Sequence, residues 1–248
     1  PVVLVGSRGV GKSFLLRVAQ AELNATITTN RVLPVYVSFS RTSLIQTSDP
    51  LQFQHWMMAR MCHQLQRTLA KSGFVTQPTS VLSGVLGSFS SSPSKLEQIM
   101  SQYEESWKTP GQQVDPTGIP DADMFLDAIE EICSQVSLSR ISFFVDEAAH
   151  VLVPAQQRQF FTLFRDLRSP RLTCNAAVYP GLTSFGDTFQ PSHDATMLAL
   201  DRDILAPDYI ESMKEIVSKQ AQKQDDTSLI RALTAHGASF SVLAYAAF

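Results

Sequence analysis

One octapeptide near the start of the chain, Gly6-Ser7-Arg8-Gly9-Val10-Gly11-Lys12-Ser13, restricts the possible folds more than any other stretch. It follows the apolar run Val2-Val3-Leu4-Val5 and precedes Phe14-Leu15-Leu16-Arg17-Val18-Ala19. Four consecutive β-formers read as a buried strand, and the spacing of the later apolar residues suits a helix that ends near Asn24. The octapeptide meets the pattern G-x-x-x-x-G-K-[ST] at every defined position, and each position has a mechanical reason. The glycines let successive N–H groups curl around an anion, Lys12 reaches the β- and γ-phosphates, and the Ser13 hydroxyl ligates Mg²⁺. The helix then turns its positive end toward the same phosphates. A Gly/Ser surface turn would not need a strand before it and a periodic helix after it. Gly6 to Phe14 is therefore read as a binding segment for ATP or ADP.

Bulk properties narrow the setting. A chain of 248 residues, 44% hydrophobic and 17% charged, has the make-up of globular material with a sizeable core. Its formal charge of −3, from 20 Lys+Arg against 23 Asp+Glu, supplies no global basic field for nucleic acid. No run approaches the ~18 apolar residues of a membrane span. Cys62, Cys133 and Cys174 are widely spaced and include no C-x-x-C pair, so neither a disulfide framework nor a zinc site is expected, and a reducing cytoplasm fits. The first residues already read as a core strand, which leaves no room for a signal peptide. The opening on Pro1 and the stop at Phe248, inside an apolar helical pattern, read as a piece of a longer protein.

Further along, Val32 to Phe39 reads as a second strand, with Pro34 near its start. A long helix is expected from Pro50 to Lys71, capped by Asp49 and stopped by Gly73, with Trp56, Met57, Met61, Leu65 and Leu69 on its apolar stripe. Residues 74 to 120 break the pattern. Thr79 to Ser94 is rich in Ser and Gly, Thr109 to Pro120 in Pro, Gly and Gln, and a helix-like piece from Lys95 to Trp107 lies between them. The segment is expected to be a surface insertion. A helix from Asp121 to Val136 follows, capped by Asp121 or Asp123.

Arg140-Ile141-Ser142-Phe143-Phe144-Val145-Asp146-Glu147 is the second chemical element. In phosphate-loop ATPases a buried parallel strand carries an acid at its C-terminal edge, where open α/β sheets bind their ligands. Asp146 is then the metal-side acid opposite Ser13, holding Mg²⁺ directly or through water, and Glu147 is placed to orient and deprotonate an attacking water. A helix from Pro154 to Arg168 leaves Arg158, Arg165 and Arg168 off its apolar side, with Arg171 just beyond; of these, Arg165, Arg168 or Arg171 is the foremost candidate for an arginine finger toward a neighbouring copy. Leu172 to Val178 is the next strand. In ATPases with an extra strand between the two motif strands, a polar residue at this strand's end hydrogen-bonds the γ-phosphate or the attacking water. Asn175 has the usual chemistry but lies mid-strand, whereas Tyr179, Thr183 and Ser184 lie where the end should be. Ala195 to Leu200 reads as a fifth strand, and Asp208 to Gln222, Thr227 to Ala235 and a run from Ala238 read as helices. His55, Cys62 and His63 are too far apart on one helix to share a metal ion and read as packing. His150 reads as an ordinary loop histidine.

These features together resemble the AAA+ ATPases. The Asp146-Glu147 pair and the Leu163-Phe164-Arg165-Asp166-Leu167-Arg168 helix are most similar to the origin-recognition and replication-initiator branch and its bacterial relatives, with the signal-transducing STAND ATPases as near neighbours. The resemblance implies a three-layer α/β sandwich around a parallel five-stranded sheet of order 5-1-4-3-2. It implies an ATPase core over residues 1–203 and the start of a helical lid over 204–248. It also implies slow, Mg²⁺-dependent ATP hydrolysis whose nucleotide state controls assembly or DNA engagement, with DNA contacted through a C-terminal domain outside this chain. The alternative is a non-hydrolysing switch or scaffold of the STAND type. Where an initiator-type lid carries a sensor arginine, this chain has Gly237-Ala238-Ser239-Phe240, which leaves Arg231 as the candidate.

Overall fold

The computed structural model describes residues 1–39, 50–74, 95–108, 114–148, 153–200, 203 and 205–223, and beyond these only 228, 231 and 235. Five strands, β1 (Val2–Val5), β2 (Val32–Ser38), β3 (Arg140–Asp146), β4 (Leu172–Val178) and β5 (Thr196–Ala199), form one sheet. Every pairing is parallel and the order is β2-β3-β4-β1-β5, which is the expected 5-1-4-3-2 read from the other edge. Parallel neighbours need crossovers, and helices supply them: α1 (Lys12–Ala25), α2 (Ile27–Asn30), α3 (Pro50–Lys71), α4 (Lys95–Glu104), α5 (Ala122–Gln135), α6 (Pro154–Asp166) and α7 (Pro191–Asp194). The inner strands are buried on both faces, so successive residues such as Phe143, Phe144 and Val145 are all apolar and the strand shows no alternation.

Local chemistry sets the element ends. Asp121, and not Asp123, caps α5, its carboxylate accepting the Met124 N–H at 2.8 Å. Gly73 stops α3 at φ 72°, with Phe74 N–H returning to the Leu69 carbonyl at 3.0 Å, because a left-handed residue there satisfies the helix's last carbonyls. The proposed cap Asp49 lies outside the described residues. Trp56, Met57, Met61, Leu65 and Leu69 are all buried, as their spacing requires.

One expectation changes. Within the stretch read as a surface insertion, α4 buries Leu96, Ile99, Met100 and Tyr103 in the main core, followed by a 3₁₀ turn at Ser106–Lys108. Its apolar residues recur at three- and four-residue spacing, so one face of the helix seals against the protein however polar the flanking sequence is. Residues 75–94 and 109–113 of that stretch lie outside the described residues.

The chain divides into two compact units, Pro1–Ala199 and Leu200–Phe248. The second contains α8 (Tyr209–Lys223), close to the helix expected there. The later helical runs and Gly237 to Phe240 lie outside the described residues. No helix among the described residues is long and apolar enough to cross a membrane.

Candidate functional site

The strand register brings the chemistry together. Val5 pairs with Val178, and Ser38 with Asp146, so β1, β2, β3 and β4 end at one edge of the sheet. Because β4 separates β1 from β3, whatever follows β4 lies between the loop after β1 and the acids at the end of β3. A cavity of about 270 Å³ opens there, lined by Arg8, Gly9, Gly11, Lys12, Ser13 and Phe14 on one side, Asp146 and Glu147 on the other, and Ala177 and Tyr179 between.

The loop side is built by backbone geometry. Gly9 and Gly11 adopt φ 89° and 95°, a left-handed region that a side chain would strain, and Gly11 directly precedes the first turn of α1. A Cβ built on Gly11 would project into open space, so the glycine is required for its backbone conformation and not for clearance. Lys12 is only 7% exposed, and its Nζ donates to the carbonyls of Gly6 at 2.7 Å and Ser7 at 2.8 Å while lying 4.0 Å from the centre of the Tyr179 ring. Gly6 and Ser7 thus act through their carbonyls on Lys12. Val10 does not line the cavity. Phe14 does, and at 74% exposure it is among the most exposed large apolar side chains described.

The acidic side is held as firmly. Asp146 is 6% exposed; its Oδ1 accepts the Glu147 N–H at 2.9 Å and its Oδ2 accepts the Tyr36 hydroxyl at 2.5 Å. Burial, and then the carboxylate it donates to, push the Tyr36 phenol well above its ordinary pKa. Glu147 sits at φ 58°, unusual for a residue with a side chain, and its Oε2 accepts the Ser38 hydroxyl at 3.1 Å. Strain of this kind persists where surroundings over-determine it, and it concentrates at functional positions. Arg60 of α3 donates to the Ser38 carbonyl at 2.7 Å and pairs with Glu104 of α4 at 3.0 Å, which ties the end of β2 to both helices.

Among the candidates at the end of β4, Tyr179 alone lines the cavity. Thr183 donates its hydroxyl to the Tyr179 carbonyl at 2.8 Å, and the Ser184 N–H is taken by Gln157 Oε1 at 2.6 Å. Asn175 is a cross-strand tie within the sheet. Its Oδ1 accepts the Val2 N–H, and its Nδ2 donates to Ser142 Oγ and the Phe143 carbonyl, each at 3.1 Å.

The three arginines weighed as fingers each have partners within the chain. Arg165 contacts the Asp166 carboxylate at 2.7 Å and the Thr188 carbonyl at 2.9 Å. Arg168 pairs with Asp194 at 3.2 Å, and Arg171 reaches Glu130 at 3.4 Å and the Leu138 carbonyl at 3.1 Å. Arg171 immediately precedes β4, at the sheet edge opposite the cavity. Cys62, Cys133 and Cys174 are buried free thiols whose pKa values burial raises, to about 11 for Cys133 and about 12 for Cys174, so they serve as core. Among the described residues no three His, Cys, Asp or Glu side chains converge as a metal cluster. His150 lies outside them.

Tyr36 and Ser38, which donate to the two acids, were not singled out from sequence. Two signals for them existed. The expected strand order sets β2 beside β3, which puts the last residue of β2 next to Asp146; and a tyrosine in a buried strand requires a partner for its hydroxyl. No protein-family model matches the chain, and no curated protein matches it.

The arrangement places a lysine and a helix N-terminus across a cavity from two carboxylates. The first wall attracts an anion, and the second can hold a hard cation or accept a proton.

Proposed function

We propose that the chain is a phosphate-loop ATPase module of the AAA+ type, binding ATP with Mg²⁺ and hydrolysing it slowly. The observation that carries this reading is the convergence of the Gly6 to Ser13 loop and the Asp146-Glu147 pair on one cavity, although Ser13 and Asp146 are 133 positions apart in the sequence.

The residues fit a magnesium nucleotide. Gly9 and Gly11 line the cavity with left-handed backbone of the kind that lets loop amides curl around an anion, Lys12 supplies a charge for the β- and γ-phosphates, and Phe14 offers an uncovered aromatic face at the rim. Ser13 and Asp146, from opposite walls, would hold the metal, which when bound neutralises charge on the phosphate oxygens. Lys12 exchanges the Gly6 and Ser7 carbonyls for phosphate oxygens as ligand enters. Glu147 accepts the proton of the attacking water, and Ser38 sets its direction. Tyr179, between the walls, is the residue placed to meet the terminal phosphate.

The hydrogen bond that engages Glu147 favours a low basal rate, and it also supports the second reading, a nucleotide-dependent switch of the STAND type that retains its ligand without turnover. A single-turnover assay with γ-labelled ATP separates the two: phosphate release establishes the ATPase, and unchanged ATP on the protein after hours leaves the switch. Self-association through Arg165, Arg168 or Arg171, DNA engagement through a further domain, and a lid formed by 204–248 belong to the same proposal.

A further inference from the structure

The Asp146 carboxylate is fixed by a contact chain that begins in the phosphate-loop helix. Arg17, in α1 five residues after Lys12, lays its guanidinium 3.3 Å from the centre of the Tyr36 ring. Tyr36, two residues before the end of β2, donates its hydroxyl to Asp146 Oδ2, while the Glu147 N–H takes Oδ1. Three elements, α1, β2 and β3, thus meet at one acid. A carboxylate joined to its chain by a rotatable bond is oriented only when both oxygens are held, and here each has a different donor. The phenol is 7% exposed, so little water competes for its proton, and a cation over the ring draws electron density from the oxygen and strengthens the donation.

Packing alone does not account for the hydroxyl. A phenylalanine would fill the same space and offer the same face to Arg17, whereas a buried hydroxyl is costly without an acceptor. The acceptor given to Tyr36 is the acid itself.

We propose that Tyr36, braced by Arg17, is a positioning residue for Asp146: its hydroxyl holds the carboxylate in the orientation in which it meets the divalent cation bound with the triphosphate. The inference rests on reading Asp146 as the metal-side acid. Removing a partner of this kind from a metal-holding carboxylate lowers metal affinity roughly 10- to 100-fold.

The test is Tyr36→Phe in the full chain, with binding of a fluorescent ATP analogue titrated against Mg²⁺ and repeated in EDTA, and bound Mn²⁺ counted by electron paramagnetic resonance. The Mg²⁺ concentration for half-saturation should rise about 10-fold or more, with nucleotide affinity in EDTA unchanged and the melting temperature lowered only by the few degrees that one lost buried hydrogen bond costs. Arg17→Ala, on the exposed side of α1, should shift the Mg²⁺ requirement in the same direction by less, and it keeps the test open if the phenylalanine variant fails to fold. Equal weakening with and without Mg²⁺, or no shift in the Mg²⁺ requirement, overturns the proposal and leaves Tyr36 as packing. Asp146→Asn separates the two levels. If it too leaves Mg²⁺ dependence unchanged, the metal-side reading of Asp146 falls and this inference with it; if it abolishes that dependence while Tyr36→Phe does nothing, only the positioning role is lost.

Discussion

The two ends of the parallel sheet both carry charged and polar side chains and use them differently. At the edge where the strands begin, charges are consumed by the fold: Arg171 donates to the Leu138 and Ser139 carbonyls, Arg140 to the Pro170 carbonyl, and Ser139 to the Asn30 and Arg31 carbonyls. These contacts close loops onto one another. At the edge where the strands end, Lys12 rests on the carbonyls of its own loop and Glu147 on a serine hydroxyl, with the cavity of about 270 Å³ between them. Charge density alone therefore does not mark a site. The mark is a set of opposite charges that face one shared space. Parallel strands produce this asymmetry because every strand delivers its C-terminal residues, and the loops after them, to the same side.

Four substitutions test this difference between the two ends of the sheet. The largest expected effect is at Glu147: Glu147→Gln should keep ATP binding and lower hydrolysis about 10²- to 10⁴-fold, measured as phosphate release. Equal loss of binding and turnover would instead make Glu147 part of the scaffold. Next, Lys12→Ala should weaken nucleotide binding by roughly 100-fold, the worth of charge-assisted hydrogen bonds of about 2–3 kcal/mol. Unchanged affinity in a calorimetric titration would remove the basis for the phosphate-loop reading.

Asn175→Ala tests the structural side. Its three cross-strand bonds suggest a stability loss of about 1–3 kcal/mol, a fall in Tm of roughly 3–10 °C, with nucleotide affinity retained. A selective loss of affinity in a stably folded variant would bring Asn175 back into the site. The smallest effect belongs to Arg168→Ala. Its pair with Asp194 has the arginine side chain 48% exposed, so stability should change by less than about 1 kcal/mol and turnover of the dilute protein should not change. A loss of turnover that appears only as protein concentration rises would reveal Arg168 acting on a neighbouring copy.

Much of the architecture was legible because its signals are local. Strand and helix periods, the Asp121 cap and the Gly73 stop are each written within a few residues, and most of these elements fall within a residue or two of their expected ends. The choice among Asn175, Tyr179, Thr183 and Ser184 was not local. It depends on which side chains reach the cavity, where Tyr179 does, and on which are taken elsewhere, as Asn175 is by the Val2 N–H from a strand far away in sequence. The burial of α4 was hidden for the same reason: its flanks are polar, and its apolar face acquires meaning only against α3 and the rest of the core.

By itself, the sequence determined a strand, a phosphate-type loop and a helix at one end, an acid pair closing a buried strand in the middle, and the strand order through the resemblance those motifs carry. The tertiary structure decided that Tyr36 and Ser38 hold those two acids, that Tyr179 stands between the walls, and that Asn175 and Arg171 belong to the frame. The division has one physical cause. A loop's curl and a helix's cap follow from the dihedral preferences and hydrogen-bonding reach of neighbouring residues, whereas the partner of a buried hydroxyl or carboxylate is selected by strand register, which joins positions such as Ser38 and Asp146 only once the sheet has formed.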